Sequence, residues 1–102
     1  MKIKTLNNSD KVPFNLDAFI MHNEQKLELV YLTLKPNEKL EVHKNPFDVI
    51  FYVISGKGEL IIEDEKNILE KNNCIKVASK FNRGWTNNTN TSLELLVIKL
   101  LG

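Results

Sequence analysis

Residues 41–58 read EVHKNPFDVIFYVISGKG. A histidine, His43, precedes a proline, an acid and an apolar run, Val49 to Ile54, that stops at Ser-Gly-Lys-Gly. A short run of β-branched and aromatic residues closed by turn residues marks a strand. The same pattern recurs along the chain. Candidate strands fall at Ile3 to Leu6, Leu27 to Leu34, Lys39 to His43, Val49 to Ser55, Glu59 to Glu63, Asn67 to Glu70, Cys74 to Ala78 and Leu93 to Leu100. Between them lie KPNE, KNPFD, SGKG, EDEKN, KNN, SKFNRG and TNNTNTS, all dense in turn residues. No stretch of helical length carries a 3.6-residue period. The fold class is therefore all-β, an antiparallel sandwich or closed barrel.

Three runs, LELVYLTL, VIFYVI and LELLVIKLL, are apolar at nearly every position. Strands of that kind need cover on both faces, one from the core and the other from a second sheet or subunit. A homodimer meets that need most simply. The charged run ELIIEDEKNILE reads instead as a hairpin with EDEKN as its tip, facing water. FNLDAFIMHNEQK, residues 14–26, fits either an irregular arm or a short helix. The chain thus divides into an N-terminal arm with a first strand over 1–26 and a barrel over 27–102, one domain in all.

The 102 residues carry 14 basic and 13 acidic side chains, a net charge of +1, with no basic block or aromatic-basic stripe. Nucleic acid is not an expected partner. The opening MKIKTLNNSD has no apolar core of a signal peptide, and no window has the length of a membrane span, so no membrane association and a cytoplasmic location are expected. A lone cysteine, Cys74, forbids an internal disulfide, and in NNCIKVAS it reads as a small buried thiol. His22, with no carboxylate or second histidine recognised beside it, reads as a surface or turn residue. No nucleophile elbow, P-loop or dinucleotide fingerprint is present.

From Pro36 the chain runs PNEKLEVHKNPFDVIFYVISGKG, and from Glu70 it runs EKNNCIKVASKFNRGWTNNTNTSLELLVIK. These resemble the two motifs of small single-domain cupins of the RmlC-like superfamily, and the resemblance spans about residues 28–99. It implies a cupin barrel of jelly-roll type. In that family three histidines and a glutamate on the inner wall commonly hold iron, manganese, nickel or zinc. Counting back from Gly56 sets His43 on the first histidine, Asn45 on the second and Val49 on the glutamate. The Gly84 to Asn87 stretch sets Arg83 on the last histidine. One ligand remains, and borderline transition metals need several nitrogen or carboxylate donors. Asp48 lies next to the glutamate position, but a one-residue offset in a strand points it to the other face.

Two further departures are conformational. Asn37 and Asn72 stand at the motifs' turn glycines, and asparagine tolerates the left-handed region better than other non-glycine residues. Arg83, the only arginine beside thirteen lysines, differs in kind. It could reach inward and bind a carboxylate or phosphate, or turn outward to a surface acid, or stack on Trp85 or Phe81. His43 and Asn45 are either pocket anchors or wall residues bonded within the protein. With Val49, Phe51 and Val53 inward by the period of two, the expected ligand pocket comprises His43, Asn45, Arg83, Val49, Phe51 and Trp85. The reading that follows is a metal-independent dimeric barrel binding a small, possibly anionic molecule. The alternatives are a metal-dependent oxygenase or isomerase with a rearranged site, holding Fe, Mn, Ni or Zn, and an interaction dimer with a filled barrel.

Overall fold

The computed structural model describes every residue from Met1 to Gly102 and contains ten strands and no helix. They are β1 (Asp10–Lys11), β2 (Asp17–Glu24), β3 (Leu27–Leu34), β4 (Lys39–His43), β5 (Asp48–Ser55), β6 (Lys57–Ile62), β7 (Glu65–Glu70), β8 (Cys74–Val77), β9 (Arg83–Thr86) and β10 (Leu93–Leu100). Two sheets face each other. One has the order β1-β2-β3-β10-β5-β8, the other β4-β9-β6-β7, and every pairing is antiparallel. No helix is long and apolar enough to cross a membrane.

Side-chain alternation builds the core. Val30, Leu32 and Leu34 on β3, Val49, Phe51 and Val53 on β5, and Leu93, Leu95 and Val97 on β10 all point between the sheets and are buried. Leu60, Leu69 and Trp85 meet them from the smaller sheet. The Trp85 ring stands edge-on to Phe51, centroids 5.5 Å apart at 79°. The alternate residues of the same three strands, among them Leu29, Ile50, Leu96 and Ile98, face outward and are only half-buried. On that outer face Tyr31 donates to Glu94, whose other oxygen accepts from Ser55 Oγ at 2.7 Å. Burial and then this bond push the Tyr31 hydroxyl up to about 12, while the bonds from Tyr31 and Ser55 hold Glu94 below the usual carboxylate range.

The turns follow the sequence. Asn37 and Asn72 both sit at φ 69°, the left-handed conformation that asparagine was expected to carry. In the β6–β7 hairpin Glu63 and Asp64 have φ of 47° and 68°, as a two-residue turn favours, so the tip is shorter than EDEKN.

Several expectations are corrected. Ile3 to Leu6 is not a strand, whereas β2 is a full eight-residue strand paired along β3. Residues 17–24 are therefore barrel wall, neither arm nor helix, and Leu16 and Ala18 join the core. The stretch SKFNRG is not all turn, since Arg83 and Gly84 open β9. Cys74 is exposed, because β8 is an edge strand whose Ile75 and Val77 face inward and so turn Cys74 away. His22 lies on exposed β2 with its Nε2 2.6 Å from Glu24 Oε1, a carboxylate two residues away on the same face.

Candidate functional site

His43 reaches the interior because β4 is bulged. Leu40 pairs with Trp85 and His43 with Arg83, so three steps along β4 match two along β9. Without the extra residue the odd spacing would put Leu40 and His43 on opposite faces. Gly84 allows the close approach, for a Cβ there would lie 2.8 Å from Leu40 O and 2.9 Å from Val42 Cγ2. His43 Nδ1 lies 2.7 Å from Glu41 O. A carbonyl only accepts, so Nδ1 carries the hydrogen, and in neutral imidazole Nε2 is left with a free lone pair.

Between the sheets is a cavity of about 150 Å³, and His43 and Asn45 line it together with Phe51, Leu32, Val97 and Lys99. Eight of its eleven lining residues are hydrophobic, the usual make-up of a small-molecule pocket with a few orienting polar groups. An engineered protein cavity of that size holds benzene, which sets the scale of a fitting guest at roughly one ring. Phe14, Leu40 and His43 also line an adjoining outer cleft of about 460 Å³, which marks them as the threshold between cavity and exterior.

The structure does not bring all the expected pocket residues to this cavity. His43, Asn45 and Phe51 line it, while Arg83, Val49 and Trp85 do not. Val49 is fully buried packing. Trp85 and Arg83 are also fully buried, and Arg83 points inward, not to a surface acid. Its Nε donates to Phe81 O at 2.9 Å and its Nη2 to Ala78 O at 2.6 Å, so it pins the β8–β9 loop. Burial lowers its pKa from the usual guanidinium value, and the Asp48 carboxylate partly offsets this. Arg83 Nη1 and Trp85 Nε1 have no partner. Asp48 points away from the interior, as its offset from Val49 implied, and accepts from Ser79 N at 2.9 Å.

The donors at the family's metal positions are thus one imidazole, one amide, a valine and a guanidinium already bonded to carbonyls. Nowhere do three or more His, Cys, Asp or Glu side chains gather to hold a metal ion. This set does not fit a transition metal, since an amide is a weak ligand and the guanidinium repels a cation.

One polar residue of the cavity wall, Lys99, and the partner it holds beside it, Glu28, went unrecognised in the sequence. Lys99 on β10 and Glu28 on β3 are register partners with Lys99 Nζ 2.9 Å from Glu28 Oε2, their side chains 29% and 16% exposed. Both lie in runs that look apolar throughout. Counting by two from Val97 and Val30 would have turned both inward.

Two apposed antiparallel sheets with a histidine on the inner wall define the barrel class to which the motifs pointed. The cupin domain family matches residues 30–99, and the chain belongs to it. No curated protein matches the sequence. A predicted oxalate decarboxylase from Thermotoga maritima is similar in structure at 14% identity and a TM-score of 0.86, with 99% of this chain and all of that one covered. The polyketide cyclase RemF from Streptomyces resistomycificus has 13% identity and a TM-score of 0.86, covering 100% of this chain and 80% of its own. An RmlC-like cupin from Methanocaldococcus jannaschii has 19% identity and a TM-score of 0.83, with coverages of 99% and 91%. At such identities the likeness is one of fold.

Proposed function

We propose that this chain is a metal-independent cupin barrel that binds a ring-sized small molecule in its interior, with His43 and Asn45 as polar anchors. The observation that carries the reading is the apolar cavity of about 150 Å³ with an imidazole and an amide on its wall. His43 Nε2 would accept a hydrogen bond from a ligand hydroxyl or N–H, and Asn45 offers donor and acceptor together. The cavity favours this reading over a filled barrel, and the donor set favours it over a metalloenzyme. Arg83 carries less weight as an anion receptor, because it does not line the cavity and its Nε and Nη2 already bind carbonyls.

The test is a thermal-shift and metal analysis of protein purified without added metal. A ligand at a hundred times its Kd stabilises by about 2.7 kcal/mol. One-ring aromatic probes should raise the melting temperature by several degrees, and His43→Ala should reduce the shift for hydroxylated probes more than for toluene. A stoichiometric transition metal, or shifts indifferent to His43, would sink the reading.

The half-buried outer face formed by β3, β10 and β5 supports a second copy of the chain as its cover. Its centre is apolar, with Leu29, Leu96, Ile98 and Ile50 from three adjacent strands, and a sheet face presented to its own twin is self-complementary by symmetry. Light scattering should give the dimer mass for the native chain and the monomer mass for Ile98→Lys. A native monomer at micromolar concentration would rule the interface out.

A further inference from the structure

Resting on the cavity as the binding site, we propose that Glu28 sets its charge preference: by neutralising Lys99 it admits an uncharged, hydrogen-bonding ring compound and turns away the matching carboxylate. Lys99 is the one formally charged side chain that lines the cavity. Standing alone, an ammonium on an otherwise apolar wall would recruit an anion. It does not stand alone. Glu28 lies opposite it in the β3–β10 register, and the two are joined at 2.9 Å. Both heads are largely withdrawn from water, so their charges are weakly screened and each is the other's chief counter-ion.

An incoming ligand meets that pair in one of two ways. A neutral amide, ketone or alcohol accepts from one of the two N–H groups that Lys99 keeps free, and the ion pair stays intact. A carboxylate must either crowd beside Glu28, like charge against like, or displace it and leave a mostly buried carboxylate without a partner. Either course costs affinity. The rest of the wall reinforces the choice, since His43, with its Nδ1 hydrogen held by Glu41 O, turns Nε2 to a ligand and Asn45 is uncharged. The cavity therefore offers a donor at Lys99 whose charge Glu28 balances, and hydrogen-bonding groups at His43 and Asn45. Its guest is a ring carrying a neutral acceptor and a hydroxyl or N–H donor.

Benzamide and benzoate are near-isosteric and differ in charge, and toluene reports on the cavity without a polar group. Titration of all three into the native protein should show toluene and benzamide binding and benzoate at least tenfold weaker than benzamide. In Glu28→Gln the lysine loses its internal counter-ion while the side chain keeps its shape, so benzoate should gain at least tenfold relative to benzamide with toluene unchanged. In Lys99→Met benzoate should not bind. Toluene serves as the control for folding and for an open cavity in every variant. If toluene binds but the native protein takes benzoate as well as benzamide, or Glu28→Gln leaves the ratio where it was, the charge assignment is overturned. If toluene does not bind the native protein, the cavity reading itself fails and this inference falls with it.

Discussion

Arg83→Ala is expected to lose about 2–4 kcal/mol of folding stability and yet leave toluene binding in the cavity intact. Two contributions oppose each other. Removing the side chain takes one donor from the carbonyl of Phe81 and one of two from that of Ala78, which keeps its bond from Phe81 N, and it empties a fully buried volume. Each lost bond to these part-buried carbonyls costs about 0.5–1.5 kcal/mol, and truncation of a large buried side chain adds a cavity term. Against this, no carboxylate forms a salt bridge to the guanidinium, so its removal recovers some desolvation energy. The losses win because two bonds and a large volume go together. For a domain of this size the melting temperature should fall by roughly 10–25 °C. Arg83→Lys should fall between, since an ammonium can serve one of the carbonyls but not fork across both. Urea unfolding and toluene titration decide the matter. A folded Arg83→Ala that no longer takes the probe would return Arg83 to the ligand site.

The same residue shows what a sequence conveys and what it withholds. The motif register put Arg83 at an inward-facing position and left its side chain free to turn in or out, and the side chain is fully buried. Which acceptor its head finds depends on the path of the β8–β9 loop, and no spacing rule gives that. Strand β3 and strand β10 were legible to the residue because their apolar runs are long and end in clear turns. Strand β2 was not, for its alternation of Ala18 and Ile20 with Phe19 is interrupted by a register shift between Ile20 and His22. The hairpins and left-handed asparagines are local and could be read from local chemistry. The Lys99–Glu28 pair is long-range, and the uniform apolar look of both runs hid it.

The candidate site was half legible for a related reason. His43 faces inward only because β4 gains one residue against β9, a feature carried jointly by Gly84 and the backbone of Leu40 and Val42. The motif supplied the inward position of His43 by resemblance, without the bulge that produces it. Period-two counting within β4 would have given the opposite face. The cavity belongs to no single motif, since β2, β3, β4, β5 and β10 all contribute to its wall.

Asn87→Asp should cost about 3–5 kcal/mol at pH 7 and recover part of that in acid. Asn87 is fully buried and uses its whole amide. Its Nδ2 donates to Leu34 O and Thr91 O, both at 2.9 Å, and its Oδ1 accepts from Thr89 N at 3.0 Å and Thr89 Oγ1 at 2.7 Å. Aspartate keeps the Thr89 bonds and turns a second oxygen on two carbonyl oxygens. That replaces two attractions by two repulsions around a fully buried side chain. Because the neutral acid supplies one donor, the folded state would raise the new carboxyl's pKa above its unfolded value near 3.9. The deficit is then smallest below the unfolded pKa and grows as pH rises through the folded one. Asn87→Ala also loses the bonds but has nothing to titrate, so its deficit relative to the native protein should stay flat with pH. Urea unfolding of both variants at pH 4 and pH 7 separates the cases, and an Asp variant within 1 kcal/mol of native at pH 7 would refute the clamp. What Asn87 clamps is the meeting of the two sheets. Its side chain holds the end of β3, and its backbone exchanges bonds with Asn37 and Glu38 at the start of β4. The last position of the second motif therefore ties the barrel together through bonds made wholly within the protein.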